Sequence, residues 1–367
     1  ADRFHKTSPE VLQIHAHRNT KALPFQTYDN VVNLEGGVEF GRHLRCAQLL
    51  PSGELKFFAL VNHIFTEPEV LTEPEKLADK ESVGDTIMKL RNCKFVSERQ
   101  YGDISSFNFT RTAFEDRVWN DLTIRARGLY INIPKQKVVA RAYDKFFRVN
   151  ERPETKLDIL QYKLQFPVTA YVKENGFLGL VSYNEQADDL FITTKSSPDG
   201  DYAMWFRNLL TSTLSESQLD RLKVLAKELD STFVFECVDM VHDPHVIEYP
   251  GSRLFLLDIV KNDMKFQKQP YEQLTQYASE IGITPKEKAF VIENWQDFFD
   301  WYYEVMGEDY LYRGRHIEGF VVEDAAGYMI KLKLAYYNFW KFMRGISAEV
   351  LRRGYVDTIM RIQNRIM

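Results

Sequence analysis

In Ala170-Tyr171-Val172-Lys173-Glu174-Asn175-Gly176-Phe177 a lysine closes an apolar, β-branched run, and a glycine follows three residues later. A lysine at a strand end is either a solvated edge charge or, where its surroundings strip its proton, a nucleophile. The K-x-x-G pattern is too short to choose between them. Its company elsewhere in the chain has to decide. Glu236 interrupts the β-rich run Ser231-Thr-Phe-Val-Phe-Glu-Cys237, where a carboxylate is costly to bury unless it is paired or bound to a cation. Lys331 and Lys333, two apart in a strand-like stretch, share one face. Arg125 and Arg127 also read as strand residues on one face, aimed at an anion or an acidic partner. Lys145 precedes two phenylalanines. Taken singly, each has a plainer reading as an edge charge beside core residues. The His15-x-His17 and His242-Asp-Pro-His245 pairs lack further ligands at metal spacing and read as ordinary surface, core or loop histidines.

These side chains need strands to position them. Residues 168–172, 177–183 and 190–194 read as three strands, the first two joined by a tight Glu-Asn-Gly turn with Lys173 at its mouth. Helices are predicted near 202–210 and 215–229, a buried strand over 254–260, and helices near 271–281 and 295–306. Residues 317–322 and 328–333 read as a hairpin around Asp324-Ala-Ala-Gly327. Upstream, 55–61 reads as a strand, and 122–131 as two short strands meeting at Gly128. From Tyr337 onward the chain is helical in character and basic, with eight Lys or Arg from Lys331 to the end against Glu349 and Asp357. That tail is either a solvated face or a polyanion site.

Composition bounds the class. With 44% hydrophobic and 27% charged residues the chain is globular, and 26 Phe and 19 Tyr give it a large aromatic core. Its 367 residues suggest more than one domain. A net charge of −5 argues against indiscriminate nucleic-acid coating. Cys46, Cys93 and Cys237 form no C-x-x-C pair, so a disulfide framework or cysteine zinc site is not expected. A reducing, intracellular location without membrane association fits best. No G-x-x-x-x-G-K-[ST] or G-x-G-x-x-G element occurs, so a bound nucleotide is held another way.

In order along the chain stand Arg127-Gly128, Lys145-Phe146-Phe147, Lys173-Glu-Asn-Gly176, Thr194-Lys195-Ser196, Phe235-Glu236, Glu318-Gly-Phe-Val321 and Lys331-Leu-Lys333. The series resembles that of the covalent nucleotidyltransferases, the ATP-dependent ligases and capping enzymes. It is most similar to the RNA ligases that repair broken tRNA in phages and fungi. The resemblance covers roughly residues 125–333 and implies an α+β fold. An antiparallel-sheet nucleotidyltransferase domain would span 86–335, between an N-terminal extension (1–85) and a basic C-terminal helical module (336–367). It also implies that Lys173 takes AMP from ATP, passes it to an RNA 5′-phosphate and lets a 3′-hydroxyl displace it.

By the same resemblance, Lys331 and Lys333 contact the α-phosphate, while Arg127 and Lys145 reach the leaving phosphates. Lys195 belongs to a K-[GS] element that contributes to the ATP site. Glu236 and Glu318 hold Mg²⁺ or Mn²⁺, with contact to the ribose an alternative for Glu236. Glu174 lies near the ATP or its metal, and Phe146 or Phe147 packs near the nucleotide. A free lysine is neutral only about once in 2,500 molecules at pH 7. Crowding by Lys145, Lys331, Lys333 and Arg127 is therefore expected to lower the Lys173 pKa. Arg344, Arg352 and Arg353 are candidates for docking RNA, a broken or spliced tRNA, and end-healing by a kinase or phosphatase would come from elsewhere. The alternatives are a DNA ligase, an mRNA capping guanylyltransferase, or an inactive RNA-binding module that keeps only the fold.

Overall fold

A computed structural model describes residues 82–353, together with 13–15, 26–28, 31–34, 43–50 and 55–61. His17 and the basic residues Arg361 and Arg365 lie outside the described residues. The chain divides into two compact units, Ala1–Lys80 and Glu81–Met367. In the first, β1 (Gln13–His15), β2 (Gln26–Tyr28) and β3 (Val31–Asn33) form a small sheet with β3 central. The strands β4 (His43–Leu49) and β5 (Leu55–Val61) pair antiparallel.

The second unit begins with α1 (Val83–Asn92), whose N-terminus is fixed by a reciprocal Ser82–Asp85 capping box. The boundary between the two units lies between Lys80 and Glu81. Next come β6 (Val96–Tyr101), β7 (Ile104–Phe109), α2 (Arg111–Glu115), α3 (Asp121–Arg125), β8 (Leu129–Asn132) and β9 (Lys137–Arg141). The four strands form an antiparallel meander. One expectation is corrected here. Arg125 ends a helix rather than lying in a strand, because the Asn120 side chain accepts from the Leu122 and Thr123 amides and nucleates α3. Arg125 and Arg127 consequently do not share a strand face.

The remaining elements are β10 (Phe147–Arg148), α4 (Leu157–Lys163), β11 (Val168–Lys173), β12 (Phe177–Asn184), β13 (Asp189–Thr194), α5 (Asp201–Thr213) and α6 (Glu216–Glu228). They continue with β14 (Ser231–Val238), β15 (Arg253–Lys261), α7 (Tyr271–Ile281), β16 (Thr284–Pro285), β17 (Lys288–Ile292) and α8 (Trp295–Val305). Last come β18 (Gly319–Glu323), β19 (Met329–Lys333) and α9 (Ala335–Arg353). Two five-stranded sheets result, ordered β10-β19-β18-β11-β17 and β13-β12-β14-β15-β16. Pairing is antiparallel except at β10/β19 and β15/β16. The α+β class with antiparallel sheets is thus the observed fold.

Alternation along the strands separates core from site. In β11 and β18, Ala170, Val172, Phe320 and Val322 face α4 and α8, packing on Leu160, Phe298 and Trp301. In β14, Phe233, Phe235 and Cys237 face α5, α6 and α7, against Phe206, Leu222 and Leu274. Each fully buried side chain of this size contributes on the order of 2 kcal/mol. The intervening residues, Tyr171, Lys173, Val321, Lys331 and Glu236, are left for the other faces of the two sheets, where they line one cavity. Among the described residues, no helix is long and apolar enough to cross a membrane.

A second correction concerns Glu174-Asn175-Gly176. Both edges of β11 are taken, by β17 and β18, and β12 pairs with β13 and β14. The three residues are therefore a crossover between sheets, not a hairpin turn. Gly176 is needed for close approach: a Cβ there would stand 2.1 Å from the Cys237 carbonyl oxygen. Gly176→Ala is expected to cost about 1–3 kcal/mol through this clash, read as a lowered melting temperature. Gly251→Ala, with open space around it, is expected to be near neutral.

Candidate active site

Register brings the charged residues into rows. Lys173 pairs across with Gly319, which pairs with Lys333, and two residues along, Tyr171 pairs with Val321 and Val321 with Lys331. On the facing sheet Glu236 lies beside Leu178. Arg127, Lys173, Lys195, Glu236 and Lys331 line one cavity of about 640 Å³, whose apolar wall includes Phe146, Leu178, Leu257, Val321 and Met329.

Glu318 is the hub of this site. Its Oε2 lies 3.0 Å from Lys173 Nζ and its Oε1 2.6 Å from Lys333 Nζ, and its side chain is 3% exposed. Asn175 Nδ2 donates to Oε2 at 3.0 Å. Glu236 is buried on β14, and its Oε1 accepts the Gly176 amide at 2.8 Å. The crossover is gripped from a second side as well. The Tyr249 hydroxyl accepts from the Asn175 amide and donates to Glu174 Oε2, both at 2.8 Å, while Asn175 Oδ1 accepts from the Ile247 amide at 3.2 Å.

The electrostatics reverse one expectation. Burial pulls the Lys173 pKa down, but the Glu318 and Glu236 carboxylates more than offset it and hold the amine above the ordinary lysine value. Glu318 at hydrogen-bond distance, with the Glu236 charge beyond it, outweighs the effect of burial. Burial raises the Glu236 carboxyl, partly countered by Lys173. Burial acts on Glu318 too, but Lys173 and Lys333 bring it below its usual value. The depressed amines are elsewhere. Burial together with Lys145 and Arg127 drops Lys331 to about 6. Burial brings Lys333 to about 8 against the pull of Glu318. Burial and the neighbouring Arg127 and Lys145 also bring Lys195 to about 8.

The shift at Lys331 has a measurable consequence. Near pH 8 its amine is mostly neutral, and a polyphosphate bound beside it would favour the ammonium. Binding should therefore take up about one proton, and affinity should fall as pH rises above about 6. Calorimetry in buffers of different ionisation enthalpy is expected to show an uptake larger in the wild type than in Lys331→Met by about one proton.

Other sequence-derived candidates are placed differently. Lys145 does not line the cavity. Its Nζ sits 4.5 Å from the Phe147 ring centroid and 4.6 Å from that of Trp119, in an aromatic cradle that competes for the cation. Phe147 belongs to that cradle, and Phe146 is the one at the cavity. Glu174 lines the cavity, and its carboxyl accepts from the Tyr249 hydroxyl. Lys331 Nζ donates to the Phe146 carbonyl at 3.0 Å. Arg344 and Arg352 are exposed on α9, and Arg344 Nη1 reaches the Pro244 carbonyl at 3.5 Å. Arg353 closes α9, with its side chain outside the described residues. Tyr143, Asp258 and Lys286 also line the cavity, and sequence reading passed over them because each looks like an isolated polar residue.

A divalent cation fits the acids. Two buried carboxylates converge on one lysine and hold each other's charge at a cost. Hard oxygen donors, completed by phosphate or water, suit Mg²⁺ or Mn²⁺. Among the described residues there is no group of three or more His, Cys, Asp or Glu that could hold a metal alone.

A family profile described as RNA ligase matches residues 125–337, more than half of the chain. The chain belongs to the RNA ligase family. It is 27% identical over 267 residues to a tRNA ligase of Candida albicans, covering 65% of this chain and 30% of that protein. It is 25% identical over 271 residues to tRNA ligase 1 of Schizosaccharomyces pombe, covering 65% and 33%. This family member thus spans about a third of the length of those relatives. An archaeal ATP-dependent RNA ligase superposes with a TM-score of 0.50 at 14% identity, covering 76% of this chain and 69% of that one. A putative ATP-dependent DNA ligase from Aquifex aeolicus gives 0.50 at 13% identity, covering 75% and 70%. The fold is therefore shared by RNA and DNA ligases, and the family match distinguishes this chain.

Proposed function

We propose that this RNA ligase family member is an ATP-dependent RNA ligase that works through AMP carried on Lys173. The observation that carries the reading is the ion chain in which the cavity-lining Lys173 is joined through buried Glu318 to Lys333, within the matched residues. The Lys173 amine gives up its proton and attacks the α-phosphorus of ATP. A phosphorus–nitrogen bond forms and the bond to the pyrophosphate oxygen breaks. An RNA 5′-phosphate then displaces the lysine, and a 3′-hydroxyl displaces AMP as the phosphodiester bond forms.

Arg127, Lys195 and Lys331 supply cations that line the cavity for the phosphates, and Lys333 stands beside the nucleophile through Glu318. Lys145 acts on the leaving phosphates only at longer range, from its aromatic cradle. Glu236 and Glu318 would hold Mg²⁺ or Mn²⁺, whose charge would cancel their hold on the Lys173 proton. Glu174 acts by anchoring the crossover to Tyr249. Exposed Arg344 and Arg352, and Arg353 after them, offer cations on α9 to an RNA backbone. Two relatives carry the name tRNA ligase, and a broken or spliced tRNA is the substrate we propose, its ends prepared by a kinase or phosphatase activity of the same pathway.

Nicked RNA and nicked DNA duplexes with a 5′-phosphate, each with ATP or GTP, test this reading. RNA sealing with ATP is the expected result. Preferential DNA sealing would point to a DNA ligase, and labelling from GTP to a capping enzyme. Neutralising Arg344 and Arg352 together is expected to weaken RNA sealing about tenfold or more at moderate salt while leaving Lys173 labelling intact. Unchanged sealing would make α9 structural.

A further inference from the structure

At the level of Tyr171 the cavity wall carries a buried polar cluster that no step above uses. Asp258 on β15 is 1% exposed and Lys286, just after β16, 5%. The carboxylate accepts four hydrogen bonds. The Tyr143 hydroxyl donates to Oδ2 at 2.6 Å, Lys286 Nζ reaches Oδ1 at 2.9 Å and Oδ2 at 2.8 Å, and Lys268 Nζ reaches Oδ1 at 3.1 Å. That fills its acceptor capacity, so Asp258 itself has nothing left to offer a ligand. It does fix its neighbours. With its proton committed to Asp258, the Tyr143 oxygen can only accept from the cavity, and Lys286 can only donate. Tyr143, Asp258 and Lys286 all line the cavity, and the first and last share the same carboxylate oxygen, so an acceptor and a donor stand side by side.

Their place along the strand matters. Tyr171, whose ring lies 4.2 Å from Lys286 Nζ, is two residues before Lys173 on the same face of β11, about 7 Å away. That is on the order of the space a ribose takes between an α-phosphate and its base. Leu257, Val321 and Met329 line the same cavity and are suited to the flat faces of a purine.

Resting on the ATP-dependent reading above, we propose that Tyr143 and Lys286, oriented by Asp258, select adenine over guanine. Adenine presents a donor at N6 beside an acceptor at N1, which match the Tyr143 oxygen and the Lys286 ammonium. Guanine presents the reverse, an acceptor at O6 and a donor at N1, and would set lone pair against lone pair and proton against proton. A site built to pair with one edge rejects the other because its buried polar groups would go unpaired.

The test uses the full chain with ATP, GTP and purine riboside triphosphate, which lacks the N6 amine. Equilibrium affinity and the rate of protein labelling are both read. The wild type is expected to prefer ATP to GTP by about a hundredfold and ATP to purine riboside triphosphate by about tenfold. In Tyr143→Phe, ATP and purine riboside triphosphate should become equal within about twofold. Lys286→Met should weaken ATP about tenfold and narrow the ATP/GTP ratio. Equal affinity of the wild type for ATP and purine riboside triphosphate overturns the proposal without any variant having to fold. A folded Tyr143→Phe that still distinguishes them tenfold overturns it too. If no nucleotide binds or labels the protein, the ligase reading itself fails and takes this one with it. Normal labelling by ATP with no base preference sinks only the proposal made here.

Discussion

Replacing Lys173 with alanine is expected to lower AMP transfer from ATP onto the protein by at least about 10⁴-fold, because the variant lacks the amine on which the proposed intermediate forms. The loss should fall on the chemical step. Arg127, Lys195 and Lys331 still line the cavity in the variant, so ATP should bind within a few-fold of the wild-type affinity. Lys173→Arg gives the sharper comparison. Arginine can keep an ion pair with Glu318 but does not lose its proton in proteins. Equal inactivity of both variants, with Lys173→Arg more stable than Lys173→Ala, is the expected pattern. Folded Lys173→Ala protein that still accepts label would move the nucleophile elsewhere, with Lys331, depressed to about 6, the first place to look.

Glu318→Gln is expected to have the second largest effect, and its sign separates two accounts of the site. The carboxylate holds Lys173 at 3.0 Å and Lys333 at 2.6 Å. Removing its charge relieves Lys173 of a hold that keeps it protonated. If suppression were its whole role, the variant would label faster. If Glu318 also binds the metal and positions the amine, labelling should fall by about 10²–10³-fold despite a less basic lysine. The second outcome is expected. Glu318→Ala adds a structural cost, since it strands two largely buried ammonium groups and the Asn175 amide. Breaking such a pair costs about 3–5 kcal/mol, which a denaturant titration would read. Glutamine retains an acceptor for Asn175 and should cost less.

Much of this arrangement was legible in the residues, and the errors share a cause. The helix read over 271–281 coincides with α7 because Leu274, Ala278 and Ile281 recur at helical spacing against one core. The hairpin read around Asp324-Ala-Ala-Gly327 is β18 and β19, and Glu236 is the single charged residue on β14. Where neighbours in space are distant in sequence, local pattern fails. Glu-Asn-Gly has turn chemistry, yet it crosses between sheets because β11 finds its partners more than a hundred residues later. Arg125 alternates like a strand residue, but the Asn120 cap overrides that pattern. The basicity of Lys173 was misjudged for the same reason: the sequence shows how many cations there are, and only distances show that Glu318 is nearer. Asp258 and Lys286 meet 28 residues apart with no spacing to announce them.

The central claim is that Lys173 carries AMP. Incubating the full-length chain with ATP labelled at the α-phosphate and Mg²⁺, then denaturing it and mapping the modified peptide by mass spectrometry, tests that claim most directly. The expected result is one acid-labile AMP adduct on Lys173, lost on adding pyrophosphate and passed on when 5′-phosphorylated nicked RNA is supplied. Label on a different residue, or no covalent label in folded protein that binds ATP, would contradict it.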